Sequence, residues 1–188
     1  MKGIAISVFA AILFCILVFP AAAHSQSDEE WITRNIKIVL EVLGIEEADT
    51  CSLMGDSYHK LREVDPWTTE SDIDTTSLTG WNPHFGNLKM WDGDLPTIGQ
   101  STEITPGIDF PAESFFDVYF ELELPDLMPG DTLINYSPVH IESIIDDMPP
   151  YFDKYVSTGG PVTLYNTMGD PVAEILYWEE EFIPYSEP

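Results

Sequence analysis

Cys51, Asp56, His59 and Glu63 lie in one short stretch, and cysteine, histidine and acid are the parts of a nucleophilic triad. A Cys-His-Asp set can be drawn from them, yet no local signature such as G-x-S-x-G surrounds it. A free catalytic thiol also suits an oxidising compartment poorly. Glycoside hydrolysis needs two carboxylates at a fixed separation across a cleft. With 33 Asp and Glu in 188 residues, some pair satisfies any spacing, so the pattern singles out no residue. Glu179, Glu180 and Glu181 read instead as the charged edge of a final strand. No catalytic residue is assigned, and a secreted carbohydrate-active or other hydrolase stands as the alternative to a non-enzymatic protein.

Metal chemistry is restricted in the same way. His24, His59, His84 and His140 are scattered singly, and no HxxxH, HExxH or CxxC occurs. Calcium prefers hard oxygen ligands, which turns rich in Asp supply. Asp92 and Asp94 flank Gly93 after Trp91, and Asp146 and Asp147 precede Met148-Pro149-Pro150, so these four are the calcium candidates, although neither pair forms an EF-hand loop. Trp67, Trp81, Trp91 and Trp178 could stack on sugars, although core packing is the default for at least half of them. Asn135-Tyr136-Ser137 is a glycosylation sequon.

The elements that would position these residues fall into two regions. Residues 27–70 hold a single proline, Pro66. Ile32, Ile36, Val39, Leu40 and Leu43 recur there at helical spacing, with Gly44 as a stop, so a short helix is expected. Ile36, Ile38, Leu40 and Val42 also alternate, which keeps a strand as the competing reading. Residues 68–72 read as a polar linker. From Ser71 onward lie 13 of the 15 prolines and 9 of the 12 glycines, a punctuation that favours short strands joined by turns.

The clearest strand is 115–124, with Phe116, Val118, Phe120, Leu122 and Leu124 on one face. Residues 161–166 and 171–183 form a hairpin turning near Gly169, and 139–145 is a further strand. Weaker strands are 73–79, 86–91 and 101–105. About seven strands predict an antiparallel β-sandwich over 71–188, preceded by a helical or irregular segment over 24–70.

Residues 1–23 read as a secretory signal peptide: Lys2, then an apolar run, then Ala21-Ala22-Ala23. Its removal takes Cys15 away and leaves Cys51 with no internal partner, either a small buried hydrophobe or a site of intermolecular pairing. The formal charge is -26 while 44% of residues are hydrophobic, so the chain folds and carries an acidic surface. Beyond Ser71 there are 22 acids against Lys89 and Lys154. Nucleic acid and an anionic membrane surface are excluded as partners, since no basic cluster offers an attachment, and no stable membrane insertion is expected after signal cleavage.

The segments FPAESFFDV (110–118), NYSPV (135–139) and PVTLY (161–165), with TTSLTG (75–80) and PTIG (96–99), resemble a family of secreted bacterial β-domain proteins of unassigned function. The likeness covers about residues 72–181. It implies a secreted β domain and no catalytic residue. The expected protein is therefore a secreted, non-enzymatic β-sandwich that binds an extracellular protein or glycan, in adhesion or matrix structure, with calcium as the one plausible cofactor.

Overall fold

The computed structural model describes residues 27–45 and 47–185. They form twelve strands: β1 Ser27–Val42, β2 Asp49–Asp65, β3 Thr68–Asn82, β4 Gly86–Asp92, β5 Thr97–Thr105, β6 Ile108–Val118, β7 Phe120–Glu123, β8 Leu133–Asn135, β9 Val139–Ile145, β10 Lys154–Ser157, β11 Val162–Tyr165 and β12 Pro171–Pro184. The chain is mainly β, as expected. It is not a seven-stranded sandwich, because all twelve strands belong to one sheet that returns on itself.

The pairings explain the closure. The first half of β3 pairs with β5, Thr68 opposite Thr102, and its second half pairs with β4, Ser77 opposite Trp91. Strand β12 likewise meets β11 through Val162 to Tyr165 and β10 through Lys154 to Val156. So β4 and β5 are two halves of one long strand, and the same holds for β6 with β7, β8 with β9, and β10 with β11. The result is an up-and-down meander of eight long antiparallel strands. It closes where β1 pairs with β12 from Ile32 opposite Pro184 to Val42 opposite Ala173. A closed barrel leaves no row of unpaired backbone groups at an edge.

Two expectations are corrected by this arrangement. The segment expected to be helical is β1, and 68–72, expected as a linker, opens β3. Alternation prevails over helical spacing because β1 has a ladder on both sides, β2 and β12, and buries Ile32, Ile36, Ile38, Leu40 and Val42 on one face. Leu43, which the helix reading placed in the core, is exposed. The boundary expected between residues 70 and 71 falls instead inside β3, a strand of the same barrel. The expected signal peptide lies outside the described residues.

Glycine and proline mark interruptions in mid-strand as well as turns. At Tyr119, between β6 and β7, side chains replace the ladder: the Phe120 N–H donates to Asn135 Oδ1 at 2.8 Å, and Asn135 Nδ2 donates to the Val118 carbonyl at 2.9 Å. Thr97 Oγ1 accepts from the Tyr119 N–H and donates to the Tyr119 carbonyl. A register shift between β1 and β12 at Val39 and Leu40 re-phases β12. Ala173 and Ile175 on one side of the shift, and Trp178, Glu180 and Phe182 on the other, are thereby all buried.

Candidate functional site

The barrel interior changes character along its axis. The end formed by β4, β7, β8 and β11 is filled by Leu88, Met90, Leu122, Leu133 and Leu164, all fully buried. A band of aromatic rings follows, with Phe120 and Trp178 at 5.3 Å, Phe116 and Phe182 at 5.5 Å, and Tyr155 and Phe182 at 5.3 Å between centroids. Beyond the rings the buried side chains turn polar. Tyr155 donates to Ser114 Oγ at 2.8 Å and Ser101 donates to the same oxygen at 2.9 Å. Burial pushes the Tyr155 hydroxyl well above its usual range.

Within this polar half Arg34 of β1 makes a two-point ion pair with Glu180 of β12, 2.5 Å from Nε to Oε1 and 3.0 Å from Nη2 to Oε2. Trp178 Nε1 donates to Glu180 Oε2 at 3.0 Å, and Arg34 Nη1 to Thr76 Oγ1 at 3.2 Å. Glu180 was expected on the charged edge of a strand. Closure of the barrel gives β12 a partner on each side and turns Glu180 fully inward.

His59 of β2 is fully buried, between the rings of Phe116 at 6.2 Å and Phe182 at 6.1 Å. Neither ring nitrogen has a hydrogen-bond partner among the described residues. Burial, aided by the Arg34 charge, pushes its pKa down to about 4, so the imidazole is neutral at pH 7. Glu30 of β1 stands opposite His59 in the ladder. Tyr151 donates to Glu30 Oε2 at 2.7 Å, while Glu30 Oε1 is buried and has no donor among the described residues.

The polar end opens into a cavity of about 580 Å³. Its floor and walls come from β1, β2, β5 and β6 through Glu30, Leu61, Ser101, Phe110 and Ala112. Its rim is the β2–β3 turn, with Trp67, and the loop between β9 and β10, with Met148 and Pro149. The cavity therefore sits where successive hairpins converge at one mouth of the barrel, the usual place for a ligand in an eight-stranded barrel.

The residues singled out from sequence are not assembled here. Cys51 and His59 lie on one strand, roughly 26 Å apart at the rise of an extended chain, so no Cys-His pair exists. Cys51 is a buried free thiol whose pKa burial raises to about 12. Asp92 and Asp94 lie at the break between β4 and β5, where Asp92 Oδ2 accepts from the Thr76 N–H at 2.8 Å. Asp146 and Asp147 lie in the β9–β10 loop, where Asp147 Oδ1 accepts from the Met148 N–H at 2.8 Å. No group of three His, Cys, Asp or Glu that could hold a metal occurs among the described residues. Of the four tryptophans considered for sugar stacking, Trp178 is core, Trp67 and Trp81 are exposed, and Trp91 is partly buried. The sequon Asn135 is buried with its amide bonded internally.

Sequence reasoning missed Glu30, Arg34, Tyr151 and Glu180. The signal that could have found Arg34 is its place among Ile32, Ile36 and Ile38 on the apolar phase of an alternating segment.

A twelve-segment sheet closed into an eight-stranded up-and-down barrel, plugged at one end and hollow at the other, defines the class. No family model matches the chain, and no curated protein is similar enough to count as a relative. Among solved structures the chain is similar to DynF from the dynemicin biosynthesis pathway of Micromonospora chersina. The TM-score is 0.76 at 16% identity, over 87% of this chain and 83% of that one. Likeness at this identity speaks for the fold alone.

Proposed function

We propose that the protein is a non-catalytic, extracellular binding protein that takes a small organic molecule into the cavity at the polar mouth of its barrel. The cavity of about 580 Å³ carries the reading, since a barrel packed solid from end to end would have no such space. The interior below it, filled by large side chains, supplies a rigid floor. Export rests on residues 1–23, and the acidic surface keeps the protein soluble outside the cell.

The test is saturable binding of a neutral hydrophobic fluorophore, N-phenyl-1-naphthylamine. It is expected to bind one to one and to lose affinity when Ala112 in the cavity wall is enlarged to Phe. Binding that ignores Ala112→Phe, in a variant folded by near-UV dichroism, overturns the cavity as the site. Turnover on a glycan and ester panel, lost in the same variant, replaces the binding reading with the hydrolase alternative.

A further inference from the structure

We infer that the cavity selects an organic cation with an apolar body, an amine or quaternary ammonium, and that Glu30 is its counter-ion. This rests on the cavity being the binding site. Glu29, Glu30, Glu63, Asp65, Glu103 and Asp109 contribute to its lining, and among the described residues no Lys or Arg does. An anion entering there meets carboxylates from several sides, and the -26 charge of the whole chain adds to the repulsion.

Acid alone would not define a site, and three of these carboxylates already have donors within the protein. Tyr58 donates to Glu29, the Trp67 N–H to Asp65, and the Gly107 N–H to Glu103. Glu30 differs: one oxygen is held by Tyr151, while the other is buried with no donor among the described residues. A buried carboxylate oxygen lacking a donor costs free energy that an arriving N–H group or ammonium charge offsets.

The surroundings leave that charge for a ligand. Arg34 is engaged on two points by Glu180, so it does not neutralise Glu30. His59, opposite Glu30 in the ladder, is buried with both nitrogens unpartnered and carries no positive charge at pH 7. Leu61, Phe110 and Met148 give the apolar body its contacts, and Trp67 is an aromatic residue of the same lining, a type that favours cations.

Calorimetry at pH 7 and physiological salt with three ligands of one shape separates the outcomes: 1-naphthylmethylamine, 1-naphthalenemethanol and 1-naphthoate. The amine is expected to bind about tenfold or more tighter than the alcohol, and the carboxylate not measurably. Glu30→Gln should bring the amine to the alcohol's affinity and leave the alcohol unchanged, while Asp170→Asn at the opposite end of the barrel alters neither. Equal binding of amine and alcohol overturns the cation inference and keeps the cavity. Failure of all three to bind overturns both readings. An amine preference that survives Glu30→Gln overturns the role of Glu30, and the charge series decides the ligand class without any variant.

Discussion

Arg34 and Glu180 join β1 to β12 from inside, across the seam that closes the barrel, with neither side chain open to solvent. Both oxygens of the carboxylate are engaged, and Trp178 and Thr76 complete the network. Removing one partner leaves an uncompensated buried charge, which costs several kcal/mol, whereas replacing both with apolar groups is often close to neutral. Arg34→Met should lower stability by about 3–5 kcal/mol. Arg34→Met combined with Glu180→Leu should recover most of that loss. Urea unfolding of both variants checks it, and additive losses would show that the two residues do not act as a pair.

His59 gives stability a pH dependence of definite sign. Its folded pKa of about 4 lies below the ordinary 6.5, so the unfolded chain takes up the proton first. Its contribution is full above about pH 6.5 and is lost as pH falls toward 4, by about 3 kcal/mol in all. His59→Phe should flatten the stability profile in that window relative to the parent. Urea midpoints at pH 7 and 4.5 measure the difference; equal slopes in both proteins would rule the effect out.

Asn135 acts as a clasp on the break at Tyr119, bonded to the backbone of Val118, Phe120 and Ser137. Asn135→Ala leaves the buried Phe120 N–H without an acceptor and should cost about 2 kcal/mol. Faster amide hydrogen exchange at Phe120, with slow exchange kept in β1 and β2, is the expected readout. Burial of this residue also predicts that the folded protein resists glycosylation at the sequon, which an intact mass after exposure to the transferase checks.

Gly55 stands opposite Arg34 in the β1–β2 ladder, close against β3. A Cβ there would lie 2.0 Å from the Ser77 carbonyl oxygen and 2.9 Å from Leu78 Cα. Backbone cannot swing aside as a flexible side chain can, so Gly55→Ala should destabilise by about 2 kcal/mol or more. A thermal melt compared with a surface glycine change, Gly159→Ala, reads this directly.

Cys51 should stay unlabelled by a water-soluble disulfide reagent in the native state, since it is fully buried and its thiol is held up to about 12. Labelling should appear in step with global unfolding in urea, followed by mass spectrometry of the Cys51 peptide. Rapid native labelling would contradict the burial.

Composition and alternation by themselves determined that this chain is acidic and mainly β. The 139–145 strand, the 115–124 face and the hairpin turning at Gly169 are visible in the residues, because one buried face imposes a period of two. Where the chain breaks was legible too, in Tyr136-Ser137-Pro138 and Gly159-Gly160-Pro161. What each break meant was not. A proline or glycine interrupts a ladder in the same way at a turn and in mid-strand, so interrupted long strands read as separate short ones, and a barrel read as a sandwich. Closure is a long-range event, the pairing of β1 with β12 from opposite ends of the described chain. The pairings of β1 with β2 and β12 decided that 27–42 is a strand and that Glu180 faces inward to Arg34, and only the folded chain sets Glu30 in the cavity wall with Tyr151 bonded to it and His59 opposite it in the ladder.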